Sequence, residues 1–101
     1  MMIELPKLML SLLEVMADGK QQQVQELIEL LALKFNITNE QKQERMPNGQ
    51  MVFNNQVRHA LTGFKHSGFC EKSPKNGSWR ITQLGLDVLK SNRTSVFQRL
   101  D

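Results

Sequence analysis

The chain has 101 residues, a net charge of +3 and a single cysteine. That length suits one compact domain, and a domain of this size buries roughly 60–70% of the surface its unfolded chain exposes, so it needs neither a disulfide nor a metal to fold. A lone Cys70 excludes an internal disulfide framework, no apolar stretch is long enough to span a bilayer, and no charged leader runs into a cleavage site; a cytoplasmic protein without membrane attachment is expected.

The first helix is expected from Pro6 to Ala17. Proline suits a first helical turn, where its missing N–H costs nothing. Leu8, Leu12, Val15 and Met16 form its apolar face, which Leu5, Met9 and Leu13 widen. Gly19 can close it in a left-handed conformation. Lys20-Gln21-Gln22 is then a very short strand. A second helix follows from Gln23 to Phe35, with Val24, Leu27, Ile28, Leu31 and Phe35 at the spacing of a buried face. Leu30 and Leu33 are extra apolar positions, read as further core rather than as a partner surface.

Residues 36–51 are polar and longer than a simple helix-turn-helix connection. Thr38-Asn39-Glu40-Gln41 has the capping-box pattern, so a short helix is expected over 39–45, and Pro47-Asn48-Gly49 is a turn. The next helix starts near Met51–Phe53. Phe53, Val57, Ala60, Leu61 and Phe64 give it a buried stripe, Gly68 ends it, and Phe69 can fold back on Phe64. Two strands, 69–72 and 78–81, are joined by Pro74-Lys75-Asn76-Gly77, a sequence suited to chain reversal. Trp79 and Ile81 point inward and Arg80 outward. Thr82 caps a last helix buried through Leu84, Val88 and Leu89, with Gly85 allowing close approach to the core. From Ser91 the composition turns polar.

A helix with a polar face followed at once by a basic β-hairpin is the order of a winged helix-turn-helix, mainly α with a small β wing. That fold commonly holds a helix against DNA. Charge supports this. Residues 1–50 hold five Lys/Arg against seven Asp/Glu, a net of −2, and residues 51–101 hold eight against three, a net of +5. A basic half points to a polyanionic partner. The expected division is a DNA-binding domain over 1–90 and a linker or tail over 91–101.

On the third long helix, Asn54, Asn55, Arg58, Thr62 and Lys65 lie away from the apolar stripe. Asparagine can bond adenine N6 and N7 together, and arginine can bond guanine O6 and N7. Asn54, Asn55, Arg58 and Thr62 are therefore candidates for base contact. Lys65, with Lys72, Lys75 and Arg80 of the hairpin, is suited to phosphates, which position a protein without reading sequence. Alternatively, this is an ordinary solvated helix face.

These residues resemble the N-terminal domain of Mrr-type restriction system proteins. The likeness rests on Pro6 to Leu13, Ala17-Asp18-Gly19-Lys20, Pro47-Asn48-Gly49, Phe53 with Asn55 and Val57, Lys65 to Gly68, and Trp79-Arg80-Ile81-Thr82 followed by Gly85 and Val88-Leu89. It covers about residues 5–90. One departure is His59, where many members carry a bulky aromatic. The resemblance implies a winged-helix module of a type IV, modification-dependent restriction endonuclease. It further implies a following PD-(D/E)xK nuclease domain and action on foreign methylated DNA.

That nuclease is not expected within this chain. Such a centre needs an Asp and a Glu/Gln-x-Lys on adjacent strands around Mg²⁺. Asp18-Gly19-Lys20 falls at a helix end and Glu40-Gln41-Lys42 in a capped polar helix, so no catalytic residue is assigned. No cofactor is expected, and Mg²⁺ belongs only with the missing nuclease. His59 and His66 are seven apart, too far for a one-turn helical zinc pair, and with Cys70 they assign no metal site. The expected partners are double-stranded DNA, the C-terminal nuclease domain and a second copy in a homodimer. The competing readings are a freestanding dimeric winged-helix transcription regulator, using Leu30, Leu33 and the tail, and a protein-docking winged helix that touches no nucleic acid.

Overall fold

A computed structural model of the chain describes residues 3–91. Helices α1 (Leu5–Val15), α2 (Val24–Lys34), α3 (Asn39–Lys42) and α4 (Val52–Ser67) precede a hairpin of β1 (Cys70–Lys72) and β2 (Trp79–Ile81), and α5 (Gln83–Ser91) follows it. The strands are antiparallel with Cys70 opposite Ile81, Glu71 opposite Arg80 and Lys72 opposite Trp79. This is a winged helix-turn-helix, mainly α with a two-stranded wing.

The apolar stripes expected on the three long helices converge on one core. Leu8, Leu12, Leu13 and Met16 come from the first helix and its end, Leu27, Ile28, Leu31 and Ala32 from α2. Phe53, Val57, Ala60, Leu61 and Phe64 come from α4; Cys70, Trp79, Ile81 and Leu89 close the core from the wing side. Trp79 and Ile81 are buried and Arg80 is exposed, the alternation of a strand with one face on the core.

Local chemistry sets the helix ends. Gly68 has φ 82°, the Phe69 N–H donates to the Phe64 carbonyl at 2.9 Å, and the Gly68 N–H donates to that of Lys65 at 3.2 Å. This is a Schellman closure, and the Phe64 and Phe69 rings lie 6.0 Å apart across it. Asn36, a non-glycine residue with positive φ, closes α2 the same way, the Ile37 N–H reaching the Ala32 carbonyl at 2.8 Å. Thr38 and Gln41 exchange the expected reciprocal bonds, at 2.9 and 3.1 Å. The Thr82 hydroxyl donates to the Gly68 carbonyl and accepts from the Gly85 N–H, so one side chain starts α5 and fastens it to the end of α4.

Several expectations are corrected. The first helix spans Leu5–Val15 rather than Pro6 to Ala17, and Leu5 is 46% exposed. The strand expected at Lys20–Gln22 reduces to one bridge, in which Gln22 and Trp79 exchange backbone bonds of 2.9 and 2.8 Å. Glycine at 19 and the helix start at Val24 leave no room for more. The short helix stops at Lys42, because Glu44 and Arg45 turn to pair with Val52 and Met51. Leu30 and Leu33 are not core: they are 38% and 75% exposed. Leu84 is 49% exposed, lying over Gly68 at the rim. Ser91, assigned to the expected tail, is the last helical residue of α5, and residues 92–101 lie outside the described residues.

Cys70 is buried with its thiol directed at the Met16 sulfur, 3.8 Å away. Burial disfavours the thiolate and pushes the thiol from 9.0 up to about 12. The unfolded chain therefore loses this proton near pH 9 while the folded chain keeps it to about 12. The contribution is fully present below pH 9 and is lost as pH rises towards 12. Urea midpoints should fall more steeply between pH 8.5 and 10.5 (about the accessible range) in the parent than in Cys70→Ala; parallel curves would disprove it.

Candidate nucleic-acid interface

Helix α4 turns its apolar stripe inward, and Arg58, His59, Thr62, Lys65 and His66 on its other side are exposed. Near its N-terminus, Asn54, Asn55 and Arg58 border one cleft of about 310 Å³ together with Gln50 and Met51. Arg58 is exposed and both asparagines are half-buried. The Asn54 amide donates to the Met51 sulfur at 3.5 Å and the Asn55 amide to the Met46 sulfur at 3.4 Å. Thioether sulfur is a weak acceptor. These bonds orient the amides yet are easily exchanged for a stronger partner.

The neighbouring polar side chains have other duties. Gln56 exchanges two bonds with the Ile3 backbone, at 3.2 and 3.0 Å, and so pins the start of the chain to α4. The Thr62 hydroxyl donates to the Arg58 carbonyl at 3.0 Å, which leaves its oxygen able only to accept. Lys65 is exposed in the last turn of α4, away from the cleft.

The wing forms a second group. Lys72 and Arg80 line a cleft of about 240 Å³ with Gln21, Glu71, Ser73, Pro74 and Ser78. Its turn is tied down from both sides. The Ser73 N–H donates to the Ser78 carbonyl at 2.8 Å, and the Gln23 amide reaches the Asn76 carbonyl at 3.2 Å. Gly77 alone in the turn carries positive φ, so the Asn-Gly pair divides as an ordinary residue and a left-handed one. Lys75 is exposed on this turn. The Lys72 ammonium sits 5.6 Å from the centre of the Trp79 ring, held over its face while open to water.

Arg80 differs from the other cations. Its Nε donates to a Glu71 carboxylate oxygen at 3.0 Å, and its Nη2 reaches the same oxygen. The hairpin register places these residues directly opposite each other. Any phosphate contact by Arg80 therefore competes with Glu71, a partner that the sequence reading omitted; an opposite charge across from Arg80 was its signal. Gln50 and Met51 were omitted as well, because the folding of residues 44–52 onto the start of α4 leaves no periodic trace.

The two nuclease-like triplets are placed apart from any strand. The Asp18 carboxylate accepts the Lys20 N–H at 3.0 Å in the turn after α1, and Glu40–Lys42 lies within α3. Among the described residues no group of three His, Cys, Asp or Glu side chains is arranged to hold a metal ion. His66 is exposed while Cys70 is buried against Met16, so they do not face one another. No helix among the described residues is long and apolar enough to cross a membrane.

No curated protein and no solved structure matches the chain. A family model described as the Mrr N-terminal domain matches residues 6–91, from the second residue of α1 to the last residue of α5. The match spans every helix and both strands described above, and the chain therefore belongs to the Mrr N-terminal domain family.

Proposed function

We propose that this chain binds double-stranded DNA as the recognition module of a restriction system protein. The observation that carries the reading is the shared cleft of Asn54, Asn55 and Arg58 on the solvent side of α4, with a cationic wing next in the chain. Side chains on the N-terminal half of such a helix reach deepest into a major groove. Asn54, Asn55, Arg58 and Thr62 contact base edges; Lys65, Lys72, Lys75 and, after exchange with Glu71, Arg80 contact phosphates. Family membership supports a DNA-binding role. On this reading the chain is a binding module and not a catalyst. A PD-(D/E)xK nuclease domain with its Mg²⁺, joined to it in a longer protein, cuts foreign methylated DNA of the type IV kind in the cytoplasm.

Fluorescence anisotropy with labelled duplex at several salt concentrations tests this. Arg58, Lys65, Lys72 and Lys75 carry no carboxylate partner among the described residues. Four cations on phosphates give a slope of log K against log salt of about −3.6, and release of Arg80 from Glu71 steepens it to about −4.5. No binding at low salt would remove the reading.

A second reading, a freestanding dimeric regulator, is favoured by one observation: Leu33 is 75% exposed and Leu30 beside it 38%. A stable dimer in sedimentation equilibrium with preference for palindromic duplexes would support it over the monomeric module.

A further inference from the structure

We infer that Gln50, in the connection between α3 and α4, is a further specificity-determining residue of the DNA-facing surface; this rests on the DNA-binding reading above. Residues 44–52 do more than span the gap between two helices. Arg45 and Met51 pair as an antiparallel bridge, and the Val52 N–H donates to the Glu44 carbonyl at 2.8 Å. Inside that bridge the Met46 N–H donates to the Gln50 carbonyl at 2.7 Å, and the Gly49 N–H to the Met46 carbonyl at 2.9 Å. The chain reverses at Gly49, whose φ of 89° other residues rarely adopt. The Arg45 guanidinium fastens the reversal by donating to the Gly49 carbonyl at 2.7 Å. The Gln50 N–H is taken by the Asn48 side chain at 3.0 Å.

Both backbone polar groups of Gln50 are thus satisfied inside a small closed ribbon. A mere spacer needs no such pinning, since exposed backbone is satisfied by water. The ribbon buries none of its own residues completely, so its order does not serve the core. It delivers one exposed amide side chain to the cleft that Asn54, Asn55 and Arg58 border. Among the described residues that amide bonds to nothing, whereas Asn48 is committed to the turn and Gln56 to Ile3. A primary amide on a fixed backbone can accept and donate to one adenine edge at once. The ribbon therefore extends the reading surface beyond the N-terminus of α4 and adds one base pair to the site.

The test is selection from a random duplex library with the parent chain, Gln50→Ala, Asn54→Ala and Lys75→Ala, each checked for an unchanged thermal unfolding curve. The parent profile should lose preference at one position in Gln50→Ala, with discrimination there falling roughly tenfold. That position should adjoin the one relaxed by Asn54→Ala, and Lys75→Ala should leave the profile intact. An unchanged profile in Gln50→Ala, or a loss uniform over all sequences, overturns the inference and leaves DNA binding standing. Parent binding without any base preference does the same. A parent chain that binds no duplex removes the underlying reading and this inference together.

Discussion

Gly85→Ala is expected to lower the unfolding free energy of the domain by about 2–3 kcal/mol, while Gly63→Ala raises it by about 0.5–1 kcal/mol. Both glycines lie in helices, and intrinsic propensity alone gives alanine an advantage of up to about 1 kcal/mol at either. Packing decides the sign. A Cβ on Gly85 would stand 2.3 Å from the Phe69 carbonyl oxygen and 2.8 Å from Ile81 Cγ1. The first of these is backbone, and it already accepts the Thr82 N–H at 2.9 Å. It cannot retreat without loosening the junction where the end of α4, the start of the wing and the first turn of α5 meet. At Gly63 a Cβ meets nothing within 4 Å, so only the propensity gain remains. Urea unfolding of the parent and the two variants checks both signs. Equal shifts in the same direction would mean that α5 does not approach Phe69 and Ile81 through Gly85. Because the same junction orients the wing against α4, Gly85→Ala should also weaken duplex binding at temperatures where the protein remains folded.

How far the fold was legible follows from where its instructions are local. The ends of α2, α3, α4 and α5 rest on Asn36, Thr38, Gly68 and Thr82, each bonding or shaping backbone within a few residues (Thr82 by accepting the Gly85 N–H), and such signals survive in a linear sequence. The 3.6-residue rhythm of Phe53, Val57, Ala60, Leu61 and Phe64 likewise identified the buried side of α4. What failed depends on how elements meet. Rhythm gives a face but not its tilt against a neighbour, so Leu5, Leu30, Leu33 and Leu84 looked like core and lie partly or largely in water. Leu84 shows the reason most clearly. Gly85, not Leu84, is the point of contact between α5 and the wing, and the close approach of backbone there leaves Leu84 at the rim over Gly68.

The candidate interface divides in the same way. The exposed side of α4 was legible because it is the complement of a clear stripe. The ion pair of Arg80 with Glu71 was not, since it needs the hairpin register; nor was the pairing of Arg45 with Met51 and of Glu44 with Val52, which closes residues 44–52 around the turn at Pro47-Asn48-Gly49.

Arg58→Ala should weaken a preferred duplex by about 1–3 kcal/mol and relax preference at one base pair, whereas Lys75→Ala should weaken all duplexes alike. The two residues carry the same charge, so charge alone predicts equal behaviour. Their settings differ. Arg58 borders the α4 cleft beside Asn54 and Asn55, where a flat guanidinium can meet a guanine edge with two donors. Lys75 sits on the wing turn, where a point charge on a flexible stem can follow a phosphate without regard to the base attached. Removing Lys75 should also reduce the salt slope by about 0.9, one counterion's share. Asn55→Ala provides the control without charge. It should relax base preference while leaving the salt slope unchanged, because an amide releases no counterion. Anisotropy titrations of the three variants on a preferred and a scrambled duplex, at three salt concentrations, separate these effects. If all three variants lose the same amount on both duplexes, the α4 face meets phosphates rather than bases. The α4 cleft would then add affinity for DNA in general and no discrimination between sequences.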